Sequence, residues 1–193
     1  YYFQQILGYS ALKAGFAFLP FSAGIVAGAA LSSQLLPRIG PRPLMGAGFL
    51  LAAAGLAVFT QVHPDSSYLT NILPAELMVS LGLGTAFVPM SSSALIGVEE
   101  SDAGVASALV NTTQQTGGSL GVALLNTVAA SATTGYLASH HGGHSVFAAA
   151  AVHGYTTAFA ISGALLLGAA VVSLLLLRAQ RSDLAPEMEM VPA

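Results

Sequence analysis

The sequence predicts an all-α integral membrane protein with about five transmembrane helices, and three observations carry that prediction. Asp, Glu, Lys and Arg make up 7% of the 193 residues, against about 25% in soluble domains. The few charges cluster, leaving uncharged windows at 14–37, 43–64, 77–98 and 103–177. Apolar residues reach 54% and the mean hydropathy is +0.74. A helix rises ~1.5 Å per residue and a bilayer core is ~30 Å thick, so about 20 apolar residues cross it. The first three windows each accommodate one helix, and the fourth accommodates two and a connection. A soluble bundle would need charged outer faces, and none of these windows offers one.

The elements follow in order. Residues 1–9 (YYFQQILGY) read as the end of an earlier apolar segment. With no initial Met and no signal peptide, the chain is expected to be the C-terminal part of something longer. The five spans are expected at about 14–36, 44–62, 73–98, 103–130 and 155–177. Short polar stretches join the first four: PRIGPRP, HPDSSYLTNI and EESD. The stretch 131–154 is the one long connection, its Gly and His pointing to solvent contact, with room for a short interfacial helix. Residues 182–193 (SDLAPEMEMVPA) read as a disordered tail. Orientation follows Lys and Arg. Arg38 and Arg42 lie between the first two spans and Arg178 and Arg181 after the fifth, with Lys13 alone on the other side. The first turn, the third connection and the tail are therefore expected in the cytoplasm.

The spans differ in polarity. The second and fifth are almost wholly apolar and suit a lipid-facing position. The fourth, VASALVNTTQQTGGSLGVALLN, carries Ser107, Asn111, Gln115 and Ser119 at i, i+4 spacing, with Asn126 near the same face. A polar stripe at membrane depth turns toward other helices or a water-filled cavity. Interhelical hydrogen bonding, worth about 0.6 kcal/mol per bond, is the plainer reading of the same stripe. The third span holds Gly82, Gly84 and Pro89, a proline that should kink it, with Thr85, Pro89, Ser92 and Ser93 on one side. Gly24/Gly28 and Gly117/Gly121 are small-xxx-small pairs that permit close helix contact.

Glu76 is the one acid expected inside a span, which makes it a candidate proton or cation site. It falls opposite the Thr85 side near the outer end, where an interfacial or packing role is the simpler expectation, since residues near span ends can snorkel. His140, His141, His144 and His153 do not match a zinc spacing and read as solvated loop residues, so no metal or cofactor is expected. Cysteine is absent, which removes disulfides and thiolate ligands. A net charge of −3 without a basic run argues against nucleic acid, and no dyad or nucleophile motif supports an enzyme.

Three stretches together resemble the C-terminal half of major facilitator superfamily transporters: YYFQQILGYSALKAGFAFLP, LLPRIGPRPLM and GVEESDAGVASALVNTTQQTGGSLGVALL. The likeness is strongest to the fourteen-helix drug:proton antiporters of the EmrB/QacA type, and it covers nearly the whole chain. Arg38, Gly40 and Arg42 are similar to the second copy of the superfamily's loop motif, with Pro37 in place of its Asp and Pro41 in place of an Arg. The resemblance implies a C-terminal lobe, residues 1–181, rocking against an absent N-terminal lobe around a midplane substrate site. It implies that the first, third and fourth spans border the cavity, which puts Ser107, Asn111, Gln115, Ser119, Thr85 and Pro89 on its wall. It also implies Arg38, Gly40 and Arg42 as a gating loop, a bacterial plasma membrane as location, and a hydrophobic or amphipathic compound as cargo. Two readings stay open on the residues alone: part of an efflux carrier, or a short membrane scaffold or accessory protein.

Overall fold

The computed structural model describes residues 2–140 and 143–177, without the side chains of His144 and Ser145. The tail 182–193, Arg178, Arg181 and His141 lie outside the described residues. Among those described there are helices and turns only. After a π-helical turn, Tyr2–Ile6, come α1 (Ala11–Ala17), α2 (Leu19–Ile39), α3 (Pro41–Phe59), α4 (Leu73–Ser93), α5 (Ala103–Ser139) and α6 (His144–Leu176). Five segments are long and apolar enough to cross a membrane: Ala11–Ile39, Pro41–Phe59, Tyr68–Ser93, Glu100–Ser139 and Val146–Leu176.

The first span is two helices in series. Ser10 caps α1, its Oγ accepting from the Lys13 amide, and the chain turns at Phe18 just before Pro20 opens α2. Proline suits a first turn, where its missing N–H would have no intrahelical acceptor. Gly40, at φ 86°, ends α2 and lets Pro41 start α3 at once. A residue with a Cβ would be strained there.

The helices pack as a row, in the order α2, α4, α3, α6, α5. The contact of α2 with α4 is backbone-close. A Cβ added at Gly28 would strike the Leu81 carbonyl, and one at Gly84 the Ile25 carbonyl. On the other flank a Cβ at Gly48 would come within 2.6 Å of the Gly82 carbonyl, and one at Gly55 within 2.7 Å of a Val79 methyl. Small residues let helix backbones approach and gain dispersion contacts that lipid cannot match. Gly24 and Gly28 therefore do what their spacing predicted. Gly117 and Gly121 meet nothing within 4 Å.

Two boundaries differ from the sequence reading. The third span is helical to Ser93, not 98, and turns out through Gly97 at φ 77°. The long connection 131–154 is almost entirely helix, with α5 and α6 separated only around 140–143. No proline occurs between Pro89 and Pro186, and the stretch is rich in Ala, the best helix former. Its threonines do not compete with the helix, because Thr133 and Thr134 return their hydroxyls to the carbonyls four residues back at 2.8 Å. At 37 residues α5 is about 55 Å long, well beyond a ~30 Å hydrocarbon core.

Candidate functional site

The polar stripe of α5 comes first. Ser107, Asn111, Gln115, Ser119 and Asn126 are all exposed, and the 18-residue window that marks α5 as a span has 0% of its residues buried. The one extensive helix partner of α5 is α6. That contact lies in the C-terminal half of α5, where Gly154 of α6 fits against Ala129 and Thr133. Asn111 and Gln115 lie about five turns of ~3.6 residues below Ala129 and Thr133 and so share their azimuth. Toward the N-terminal half of α5, Gly117, Gly118 and Gly121 meet nothing within 4 Å, while α6 stays on α3 from Phe159 against Phe59 to Leu174 against Gly46. The stripe therefore runs along a face that α6 covers above and abandons below.

Its groups are not equivalent. Thr112, Thr113 and Ser119 donate to the carbonyls of Ala108, Leu109 and Gln115 at 2.8–2.9 Å, so their hydroxyl protons are used within the helix. The carboxamides of Asn111 and Gln115 have no such outlet and make no hydrogen bond to a described residue. Each presents two donors and an acceptor oxygen to whatever fills that space.

Thr85 and Pro89, expected on the cavity wall, both stand on α4. Pro89 is fully buried, and Thr85 is half-buried in the contact between α2 and α4. Pro89 has no N–H to give the carbonyl of Thr85 four residues earlier. Ser32 of α2, itself 0% exposed, donates its Oγ–H to that carbonyl at 2.8 Å, while Thr85 Oγ1 donates to the Leu81 carbonyl. The proline's missing bond is thus made across the helix pair, and α5 is not brought to this place.

Arg38 closes α2 and Arg42 opens α3, on either side of Gly40. Both are exposed and make no ion pair with a described residue. Cations at a helix C-terminus complement its dipole, a benefit that goes to Arg38.

Of the interfacial and packed positions expected for Glu76, the structure has the packed one. Glu76 is 3% exposed, because the π-helical turn Tyr68–Ile72 prolongs the span outward and sets it about two turns deep. Tyr68 Oη donates its one proton to the Ala17 carbonyl at 2.9 Å, so its 3.5 Å approach to Glu76 Oε2 is marginal. The Phe21 backbone amide lies beside the carboxylate, and Oε1 has no partner. Glu76 borders a cavity of about 370 Å³ walled by α2, α3, α4, α6 and the Tyr2–Ile6 turn. Sequence reasoning found the acid but not the cavity.

The profile of the Major Facilitator Superfamily matches residues 1–122. The chain belongs to the Major Facilitator Superfamily. Of the α5 stripe, Ser107, Asn111, Gln115 and Ser119 fall inside that match and Asn126 just beyond it. Among relatives of this superfamily member, the puromycin resistance protein pur8 of Streptomyces alboniger is 43% identical over the whole chain and 39% of its own length. The cephamycin export protein CmcT of Amycolatopsis lactamdurans is 40% identical over 72% of the chain and 29% of its own length. The tetracenomycin C resistance and export protein of Streptomyces glaucescens is 29% identical over the whole chain and 43% of its own length. The chain therefore spans well under half the length of these relatives. Membership and the five spans together make it an integral membrane protein of a transporter superfamily.

Proposed function

We propose that the chain is the C-terminal transmembrane lobe of a fourteen-helix-type carrier that exports hydrophobic or amphipathic compounds in exchange for protons. The observation that carries this reading is the unpartnered Asn111–Gln115 amide pair on the bare N-terminal half of α5. Amides left unmatched in hydrocarbon cost several kcal/mol each, so this face needs protein, water or cargo against it. Apolar neighbours such as Val110 and Val122 make the surface mixed, which suits a compound with both apolar and polar parts. The relatives named as resistance and export proteins support the same class of cargo.

In this reading Asn111 and Gln115 touch cargo and Ser107 and Ser119 extend the stripe toward either end. Arg38 and Arg42 act at the cytoplasmic gate, with Gly40 as the turn between them. The turn at Gly40 and the C-terminus face the cytoplasm of a bacterium, since four of the five Lys and Arg residues fall on that side.

Two experiments test it. In the full-length protein, Asn111→Ala and Gln115→Leu are expected to change which compounds are exported per molecule in the membrane, with expression held. Lost expression with an unchanged export profile would reduce the stripe to interhelical glue. For orientation, single cysteines at positions 42 and 141 of this Cys-free chain are treated with an impermeant reagent on intact cells. Position 141 should label and 42 should not. The opposite pattern inverts the topology.

A further inference from the structure

The histidines near the α5–α6 turn match no metal motif in sequence, but the fold pairs two of them. Tyr136 of α5 carries both. His140 lies flat on its ring with centroids 4.0 Å apart, and His153 of α6 stands at 5.2 Å, tilted by 40°. The two helices are separated here only around 140–143. A turn between two spans meets water or headgroups, because irregular backbone is not tolerated against lipid tails. An aqueous ion can therefore reach it.

The ring nitrogens are not equally engaged. His140 Nδ1 lies 3.0 Å from the Tyr136 carbonyl oxygen. A carbonyl can only accept, so Nδ1 carries the proton and Nε2 of the neutral ring keeps its lone pair. Metal-bound imidazoles take this arrangement, since the N–H···O=C bond fixes the tautomer and orients the ring. His153 accepts from the hydroxyls of Thr156 and Thr157 through its backbone carbonyl, while its ring nitrogens bond to no described residue. Both histidines are exposed. Exposed side chains exchange rotamers in picoseconds to nanoseconds, so His153 can swing toward the Nε2 that His140 presents.

The surroundings select the kind of ion. No Asp, Glu, Lys or Arg occurs between Asp102 and Arg178, so neither helix adds a carboxylate or a repelling cation at this end. Among the described residues no third histidine or carboxylate joins the pair. Neutral imidazoles suit Cu²⁺, Ni²⁺ and Zn²⁺, whereas Mg²⁺ and Ca²⁺ ask for oxygen ligands.

We propose that His140 and His153 form a two-imidazole site for a divalent first-row transition metal, with water at its remaining positions. The bound ion ties the C-terminal end of α5 to α6, the one helix on which α5 packs extensively. Acid releases it, because a protonated imidazole has no lone pair to give.

Titration of Cu²⁺ into the full-length protein in nanodiscs, purified without a polyhistidine tag, tests the site through pulsed electron paramagnetic resonance. A saturable signal with two imidazole nitrogens is expected, unchanged by excess Mg²⁺. His140→Asn and His153→Asn should each remove one nitrogen and weaken binding at least about tenfold, the least that losing even an outer partner of a ligand costs. His141→Asn and His144→Asn should leave the signal intact. Loss in those two variants, with none at 140 or 153, assigns the ion to other histidines and overturns the proposal. A one-nitrogen signal that His153→Asn leaves unchanged overturns it equally. Should a variant fail to fold, hydrogen exchange of the unaltered protein decides. Zn²⁺ is expected to slow exchange both at 136–140 and at 150–154, and slowing at one of them or neither overturns the site.

Discussion

Helices α4 and α5 are built from similar residues and meet opposite fates. Both are rich in glycine, serine and threonine, and both cross the membrane. In α4 half of the span window is buried, and its small residues are consumed by neighbours: Gly84 by α2, and Gly82 and Ala86 by α3. In α5 none of the window is buried, and Gly117, Gly118 and Gly121 face open space. Composition alone therefore does not separate a helix that holds a lobe together from one that works at its surface. What separates them is where the hydrogen-bonding capacity ends up. Across the α2–α4 contact, Ser32 supplies the bond that Pro89 removed. Along α5 the hydroxyls close on their own helix and the amides remain for something outside.

The largest effect that tests this contrast is a glycine exchange. Gly28→Leu drives a side chain into the Leu81 carbonyl and the Thr85 amide, backbone atoms that cannot swing aside. We expect a loss of about 1–3 kcal/mol or more, read as a lower unfolding temperature and poor yield in detergent. Gly117→Ala on α5 meets nothing, so it should hold stability or raise it by about 0.5–1 kcal/mol through helix propensity. If the two glycines gave equal losses, α5 would be packed in the intact protein much as α4 is.

Next in size is the bridge over the proline. Ser32→Ala deletes the one donor given to the Thr85 carbonyl at a fully buried position, and we expect about 1–3 kcal/mol of destabilisation by thermal melting. Pro89→Ala should offset part of that loss in the double variant, because the restored amide supplies the bond from within α4. An additive double variant would mean that the Ser32 hydroxyl acts through some contact other than the Thr85 carbonyl.

These two tests also mark how much the sequence disclosed. The five spans were legible, because charge-free length is a local property of the chain. So was the Gly24/Gly28 contact, since spacing on one face implies close approach. The missing bond at Thr85 was readable from Pro89, but its donor, Ser32, lies 53 residues earlier and only the fold brings it there. The α5–α6 hairpin was misread because glycine and histidine were treated as loop residues in a stretch that alanine and back-bonded threonines keep helical. The Glu76 cavity was illegible for a different reason. Its rings come from the N-terminal turn and from α2, α3 and α6, and no local pattern records that convergence.

The smallest expected effect concerns the hydroxyls of α5. Thr112, Thr113 and Ser119 lie among the amides, and the sequence alone gives no reason to treat them differently. In the structure each hydroxyl proton is already donated to a carbonyl one turn back at 2.8–2.9 Å. Replacing such a group with an apolar one of similar shape removes a donor together with its need for a partner, and the backbone carbonyl keeps its helical N–H. Thr113→Val and Ser119→Ala should therefore stay within about 0.5 kcal/mol of the parent in stability. In the export assay Thr113→Val should also leave the range of compounds unchanged, whereas Asn111→Ala, one turn away or less, changes it. If Thr113→Val altered that range as much as Asn111→Ala does, cargo would be reading the whole polar face of α5. The distinction between self-satisfied hydroxyls and open amides would then carry no functional weight, and the contrast with α4 would rest on packing alone.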